Sequence, residues 1–133
     1  MVMSEEKNFE SLALRSELID GLAALEYREM TVIQQASLPP ILEGRDVVGR
    51  AKTGSGKTAA FALGALNSLD TTNLETQTLV LCPTRELADQ VTEEIRRLAK
   101  RIANVRVLAL CGGMPNRPQV KSLERGVHIV VLC

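Results

Sequence analysis

The stretch AKTGSGKT, residues Ala51–Thr58, matches the phosphate-loop pattern G-x-x-x-x-G-K-[ST] at every position except the first. Such a loop binds phosphate when successive backbone N–H groups point inward at the start of a helix, which a glycine-rich turn permits. Gly54 and Gly56 supply that turn. Ala51 replaces the first glycine, and we expect this to cost little because the position requires a small residue rather than a positive φ.

Two side chains at the end of the loop would complete a phosphate site. Lys57 can reach the β- and γ-phosphates of a nucleotide, and the Thr58 hydroxyl can ligate Mg²⁺. The alternative is a glycine-rich connection with a chance Lys-Thr pair, but the apolar run DVVGRA before the loop and the helical pattern after it favour the phosphate loop. The predicted phosphate-binding residues are Ala51, Lys52, Thr53, Gly54, Ser55, Gly56, Lys57 and Thr58.

Short apolar runs alternate with longer helical segments along the chain. Helices are predicted over about 11–25, over 31–42 with an interruption at Pro39-Pro40, over 57–69, over 83–102 and, briefly, over 120–123. Strands are predicted in DVVGRA, TQTLVLC, VRVLALC and VHIVVLC. Strands without polar alternation, separated by helices, indicate a parallel sheet covered on both faces. The sequence therefore predicts an α/β P-loop nucleotide-binding fold with these four strands.

The segment after PTRELA shows the clearest helical periodicity. Its apolar residues recur at spacings of 4, 4, 3 and 4, which places them on one helix face. They are Leu87, Val91, Ile95, Leu98 and Ile102. A basic set near the end of this helix is predicted to be solvated, because cations interact favourably with a helix C-terminus. It comprises Arg96, Arg97, Lys100 and Arg101.

Nucleotide hydrolysis needs a carboxylate at the end of a strand beside the loop, to hold Mg²⁺ and position water. The runs LVLC, LALC and VVLC end instead in Cys82, Cys111 and Cys133. Asp46 precedes its apolar run, and Asp89 lies on a helix. We therefore expect this chain to hold a nucleotide's phosphates without hydrolysing them.

The three cysteines fit neither a disulfide framework nor a C-x-x-C metal site. Because each ends an apolar run, parallel strands would place the three thiols along one edge of the sheet. A metal site at that edge is conceivable, but small buried apolar residues at strand ends are the favoured interpretation.

Two further stretches follow predicted strands. PTRELA, Pro83–Ala88, opens a helix, where Arg85 and the helix N-terminus could bind another phosphate, although an ordinary strand-to-helix turn is favoured from the residues alone. GGMP, with Gly112 and Gly113, by itself indicates only a flexible turn. His128, the one histidine, lies in an apolar run and is predicted to be structural.

Composition describes an ordinary globular protein of 133 residues, with 45% apolar and 24% charged residues. Sixteen basic residues balance sixteen acidic ones, so any nucleic-acid contact must come from a local patch. Two Phe, one Tyr and no Trp argue against a base-stacking platform. MVMSEEKNFE does not resemble a signal peptide, and no apolar run approaches the roughly 20 residues of a membrane span. A cytoplasmic location is expected.

Taken together, AKTGSGKT, PTRELA and the paired glycines, in this order and spacing, resemble the first RecA-like domain of the DEAD-box ATP-dependent RNA helicases. The stretches QAS-LPPIL-GRDV, AKTGSGKTAAF, LVLCPTRELADQV and LCGG-P are especially similar to the bacterial DbpA subfamily. The resemblance runs from Phe9 to Val131. It implies that residues 1–133 form part of a helicase ATP-binding domain, with a Q-motif region at about 7–35 and the segment from phosphate loop to fourth strand at about 45–133.

The resemblance also implies roles for individual residues. Gln34 would read the adenine edge of ATP and Phe9 would stack on the base, while Glu26, Met30 and Val32 stand where the family commonly has a glycine and prolines. The residues implied to grip the RNA backbone are Pro83, Thr84, Arg85, Gly112 and Gly113. The implied cofactors are ATP and Mg²⁺, and the implied partners are ATP or ADP and RNA, with no membrane.

The family pattern continues beyond the fourth run into T-P-G-R, D-E-A-D and S-A-T elements and a second domain. Leu132 and Cys133 stand where the family has a small residue and then threonine, from which we expect a frameshift or an aberrant stop. The leading interpretation is an ATP-binding N-terminal fragment of an RNA-unwinding helicase, unable to hydrolyse ATP alone. The alternatives are a free-standing nucleotide-binding module without turnover, and a non-functional truncation with unpaired strand edges and exposed apolar surface.

Overall fold

A computed structural model describes residues 7–133, so most of the stretch MVMSEEKNFE lies outside the described residues. A short 3₁₀ turn, Phe9–Ser11, precedes five helices and three strands. In chain order these are α1 (Ser16–Ala24), α2 (Val32–Leu42), α3 (Lys57–Asn67), β1 (Thr78–Leu81), α4 (Arg85–Leu98), β2 (Val107–Leu110), α5 (Asn116–Arg125) and β3 (Ile129–Leu132). The predicted α/β class is confirmed.

The three strands form one parallel sheet in the order β1-β3-β2. Leu79 of β1 and Leu108 of β2 both lie opposite Val130 of β3, so the strands are in register. The core lies between one face of this sheet and α1, α3 and α4. Its largest fully buried side chains are Leu18, Leu22, Leu38, Leu63, Leu66, Ile95, Leu98, His128, Ile129 and Val131.

The predicted strand DVVGRA is wrong. Residues 45–50 are extended but unpaired, and Val48 is fully exposed to solvent. A strand forms only where a neighbour takes up its backbone hydrogen bonds, and within residues 7–133 no strand pairs with this segment. The sheet of the described residues therefore has three strands rather than four.

The expectation that the sheet is covered on both faces holds only in part, since on the second face Val130 of β3 is buried but β1 is open. Val80, Ile129 and Val131 face the core, whereas Leu79 and Leu81, on the opposite face of β1, are 60% and 70% exposed. Helix α5 buries none of its residues. Helix α4 is the helix that contacts the sheet most, and the side chains of Leu79 and Leu81 leave apolar surface exposed on the opposite face of β1.

Two helix predictions need correction near the N-terminus. Helix α1 begins at Ser16 rather than near residue 11, because residues 12–15 run extended from the 3₁₀ turn. Helix α2 is not interrupted by its prolines and continues to Leu42. Helix α2 packs on α3. At this contact Gly64 leaves room for Ile41, because a Cβ at position 64 would clash with the Ile41 side chain.

The later helices differ from prediction mainly in length. Helix α4 begins at Arg85 and ends at Leu98, so Ile102 continues the buried face beyond the helix, whereas Leu87 is partly exposed. Helix α5 starts at Asn116, well before the predicted position, because Pro118 lies in the first turn, where a missing N–H costs no helical hydrogen bond.

His128 has the structural role predicted for it. The residue is fully buried, and its Nδ1 accepts a hydrogen bond from the Arg106 N–H at 3.0 Å. Its Nε2 lies 3.2 Å from the Thr71 carbonyl oxygen. Because Nδ1 accepts, Nε2 carries the proton and donates to that carbonyl. Both ring nitrogens are therefore satisfied, and the ring ties two loops to β3.

Candidate nucleotide-binding site

The loop 51–58 lies at the side of a cavity of about 1670 Å³. Its lining residues come mainly from α2, the start of α3, β1 and α4. Five loop residues line it, namely Thr53, Gly54, Gly56, Lys57 and Thr58. Phe9 and Gln34 line the same cavity, and Gln34 also contacts the loop. Ala51, Lys52 and Ser55 belong to the loop but do not line the cavity.

The backbone of the loop has the shape of an anion-binding turn. Gly54 and Gly56 both have left-handed conformations, with φ of 80° and 91°. Gly56 is the N-cap of α3 and provides no side chain to cap the helix. The first N–H groups of α3 therefore remain available to an anion at the positive end of the helix dipole.

Two side chains of the loop fit a phosphate group. The Lys57 ammonium donates a hydrogen bond to the Ala51 carbonyl oxygen at 2.5 Å, so its charge lies folded back over the loop. The Ser55 hydroxyl is buried and finds no hydrogen-bond partner within the described residues. A buried unpaired hydroxyl is costly unless a further group satisfies it. Phosphate oxygens would satisfy both the hydroxyl and the ammonium, so these residues fit a nucleotide.

Gln34 connects α2 to the loop. Its Oε1 accepts the Thr31 N–H at 2.9 Å, which together with the Thr31 side chain completes a capping box. Its Nε2 donates to the Gly56 carbonyl at 3.0 Å. A Cβ on Gly56 would clash with this amide and approach Thr31 Oγ1 to 3.0 Å. The pattern T-x-x-Q could have revealed the capping box, but nothing local in the sequence indicates the contact with Gly56.

Phe9 forms the N-terminal wall of the cavity. Its ring is only 3% exposed and belongs to the hydrophobic core. A hydrogen bond from the Met30 N–H to the Lys7 carbonyl at 2.7 Å, and a bridge between Asn8 and Glu29, hold this segment against the start of α2. Phe9 therefore lines the cavity with little of its surface exposed.

Glu26 retains the turn expected of the glycine that it replaces. Its φ is 62°, in the left-handed region that favours glycine. The Glu26 N–H donates to the Ala23 carbonyl at 3.0 Å, and the Tyr27 N–H donates to the Leu22 carbonyl at 2.9 Å. These two bonds form a Schellman motif at the end of α1. The substitution thus keeps the chain path but places a strained residue beside the cavity.

The residues of PTR and GGM lie together at the carboxyl edge of the sheet. Pro83, Thr84 and Arg85 follow β1, Gly112 and Gly113 follow β2, and all five are exposed. The Arg85 guanidinium donates to the Met114 sulfur at 2.8 Å and so joins the two loops. The Thr84 hydroxyl caps α4 by accepting the Leu87 N–H at 3.1 Å. The predicted members of this second group are therefore adjacent in space.

Four carboxylates that sequence analysis did not single out for this site also line the cavity. They are Glu26, Glu29, Asp46 and Glu94. None of them follows a strand of the sheet, because β1, β2 and β3 lead into Cys82, Cys111 and Cys133. No carboxylate in the described part of the chain therefore occupies the strand-end position that nucleotide hydrolysis requires.

The phosphate loop, the Thr31–Gln34 capping box and the parallel sheet all lie within a segment that matches a known family. The model for DEAD/DEAH box helicases covers residues 31–133. The chain belongs to this family. Over 113 residues it is 55% identical to the ATP-dependent RNA helicase DbpA of Escherichia coli (strain K12), an alignment that spans 85% of this chain and 25% of that protein.

Solved DEAD-box structures confirm the RecA-like fold. A DEAD box protein from the hyperthermophile Methanococcus jannaschii superposes with a TM-score of 0.88 at 35% identity, over 95% of this chain and 34% of that one. The RNA-helicase Prp28 from Chaetomium thermophilum, bound to ADP, superposes with a TM-score of 0.82 at 38% identity, over 94% of this chain and 31% of that one. The chain thus spans about a third or less of these relatives. Across residues 7–133, every helix is too short or too polar to cross a membrane.

Proposed function

We propose that this chain binds ATP or ADP together with Mg²⁺ and does not hydrolyse ATP by itself. The observation that carries the proposal is the preformed shape of the loop. The loop has two left-handed glycines and an uncapped helix start, and among residues 7–133 its lysine is bonded to the loop's own carbonyl alone. These groups leave a set of hydrogen-bond donors beside a large cavity. The ADP in the structure of the relative Prp28 supports the same ligand class.

Each residue has a proposed task in this site. Lys57 would exchange the Ala51 carbonyl for phosphate oxygens, and Thr58 would ligate the metal through its hydroxyl. Mg²⁺, when bound, would neutralise part of the phosphate charge. Phe9 and Gln34 would contact the adenine. The other proposed contacts come from the loop itself, from Ala51, Lys52, Thr53, Gly54, Ser55 and Gly56.

A second part of the proposal concerns RNA. The exposed group of Pro83, Thr84, Arg85, Gly112 and Gly113 would bind RNA phosphates, because exposed loop amides and a guanidinium suit phosphate oxygens. The relative's description as an ATP-dependent RNA helicase supports this ligand. We assign residues 1–133 to part of a helicase ATP-binding domain, and ATP-dependent RNA unwinding to a whole protein of the relative's kind.

Binding of a fluorescent ADP analogue with Mg²⁺ tests the proposal. The full chain should bind saturably, and Lys57→Ala should weaken binding about 10- to 100-fold, the loss expected for one charge-assisted contact of about 1.5–3 kcal/mol. Lys100→Ala is the matched control, because Lys100 is exposed and lies outside the cavity. Equal affinity of the wild type and Lys57→Ala would overturn the assignment of the loop.

A separate measurement tests whether the chain hydrolyses ATP. Phosphate release from ATP by the purified chain should equal that of Lys57→Ala under the same conditions. Release above that variant would show that one of the cavity carboxylates performs the metal-binding task. The first candidate to substitute would then be Asp46, which lines the cavity beside the loop.

A further inference from the structure

Three cysteines lie side by side at the carboxyl edge of the sheet. Leu81 and Leu110 both pair with Leu132, so the next residues, Cys82, Cys111 and Cys133, continue the same register. Backbone hydrogen bonds extend this ladder, from the Cys82 N–H to the Leu132 carbonyl at 2.8 Å and from the Cys133 N–H to the Leu110 carbonyl at 3.2 Å. Cys133 is therefore the middle member of the row, with one cysteine on either side.

The three thiols differ in exposure. Cys111 is buried in the core, Cys82 is partly buried against it, and Cys133 is exposed. The prediction of small buried apolar residues is thus correct for Cys111 and wrong for Cys133. Among residues 7–133, no group of three His, Cys, Asp or Glu side chains is placed to hold a metal ion.

Cys111 and Cys133 are neighbours in the ladder, and their thiols interact. Hydrogen bonding with the Cys133 thiol, followed by burial, raises the pKa of Cys111 to about 11. For Cys82 the chief cause of a raised pKa is burial, and the charge of Cys133 contributes less. Neighbouring parallel strands lie about 4.8 Å apart, which falls within the Cα separations of about 4.4–6.8 Å that disulfides span.

We propose that Cys111 and Cys133 form a dithiol site that a hydroperoxide converts to a disulfide. The exposed Cys133 sulfur attacks the hydroperoxide, the O–O bond breaks, and an alcohol leaves, or water when the oxidant is hydrogen peroxide. Cys133 is now a sulfenic acid. The Cys111 thiol attacks the Cys133 sulfur, the S–O bond breaks, and water leaves with the Cys111 proton. Two thiols lose two electrons and two protons, and a thiol reductant reverses the change.

Peptide mapping of the full chain after treatment with hydrogen peroxide tests this site. Remaining thiols are alkylated in denaturant, and the chain is digested with trypsin without reductant. The main product should join the peptide that begins at Val107 to the peptide that begins at Gly126, with a mass lower than their sum by two hydrogens. Cys82 should be recovered alkylated. Cys82→Ser should give the same linked product, and Cys111→Ser and Cys133→Ser should each eliminate it.

Oxidation of the unfolded chain provides the control for the native one. The chain oxidised in urea should give all three cysteine pairings, because the native sheet no longer holds Cys133 beside Cys111. A native chain that gives this same mixture, a Cys82–Cys133 link, only linked dimers, or only singly oxidised Cys133 would overturn the proposal. The mapping of the wild type needs no substituted protein to fold. It is also independent of nucleotide binding, so either proposal can fail alone.

Discussion

The two groups of residues expected to meet phosphates are built in different ways. In loop 51–58 Gly56 lies against the Gln34 side chain, and Gln34 and Lys57 are bonded to loop carbonyls. The group formed by Pro83–Arg85 and Gly112–Gly113 is exposed, and a single contact from Arg85 joins its two parts. The first group is therefore preorganised, whereas the second depends on charge and open backbone. Substitutions that alter backbone shape should therefore impair ligand binding by the first group more than by the second.

The largest effect is expected for Gly56→Ala. The residue has φ of 91°, and its Cβ would clash with the Gln34 amide. Backbone strain of about 1–3 kcal/mol and damage to the α2 cap of about 1 kcal/mol should together lower the free energy of unfolding by about 3 kcal/mol. Urea denaturation followed by circular dichroism measures this change.

A double variant identifies the cause. If the clash contributes, Gly56→Ala should cost less in a Gln34→Ala background than in the wild type, because the obstructing amide is gone. Equal costs in the two backgrounds would assign the whole effect to the positive φ and would contradict the role of Gln34 as a packing partner of the loop.

An intermediate effect is expected for a matched pair of glycines, one from each group. Gly54 and Gly113 have nearly the same φ, 80° and 81°, and an added Cβ would meet nothing within 4 Å at either. Alanine at each should cost about 1 kcal/mol of stability through left-handed strain alone. Only Gly54→Ala should also weaken ADP binding, as titration of both variants would show.

Gly112 supplies the control for this pair. It has no positive φ and an added Cβ would meet nothing within 4 Å, so Gly112→Ala should leave stability within about 0.5 kcal/mol of the wild type. A large loss at Gly112, or a clear difference in stability cost between Gly54→Ala and Gly113→Ala, would show that the second group is more tightly built than its open surroundings indicate.

The smallest effect is expected at Glu26, the left-handed position beside the first group. Glu26→Gly should raise the free energy of unfolding by about 0.5–1 kcal/mol, because glycine adopts a φ of 62° without a Cβ penalty, and its larger entropy in the unfolded state offsets part of the gain. Thermal denaturation shows whether Glu26→Gly is more or less stable than the wild type. A fall in the melting temperature would mean that the Glu26 side chain makes a stabilising contribution at the cavity wall.

Local signals predicted that the five helices exist and that a glycine turn precedes α3, although several helix ends were wrong. The spacing of Val91, Ile95 and Leu98 defined the buried face of α4, and the glycine pattern placed the start of α3 at Lys57. These features depend on residues a few positions apart, which a single sequence displays directly. The family resemblance was likewise confirmed, because it rested on several motifs in a fixed order.

The errors concern partners that lie far away in the chain. The apolar character of DVVGRA predicted a strand, but an apolar run becomes a strand only beside a second strand, and none within residues 7–133 pairs with it. Coverage of the second sheet face is incomplete for the same reason, since Leu79 and Leu81 indicate a buried strand only where helices exist to bury them. The hydrogen bonds from Gln34 to Gly56 and from Arg85 to Met114 join residues 22 and 29 positions apart, so no local sequence pattern predicts them.

The extended segment between α2 and the phosphate loop is also a site for limited proteolysis. Arg45 and Arg50 are exposed, and within residues 7–133 no backbone hydrogen bond holds residues 46–50. Exposed chain of this kind is what proteases cut first. A trypsin cut after Arg50 would place Gln34 and Gly56 on separate polypeptides while their hydrogen bond and the packing of Ile41 on Gly64 still join them. The nicked protein would elute as one particle on gel filtration and separate into two pieces only in denaturant.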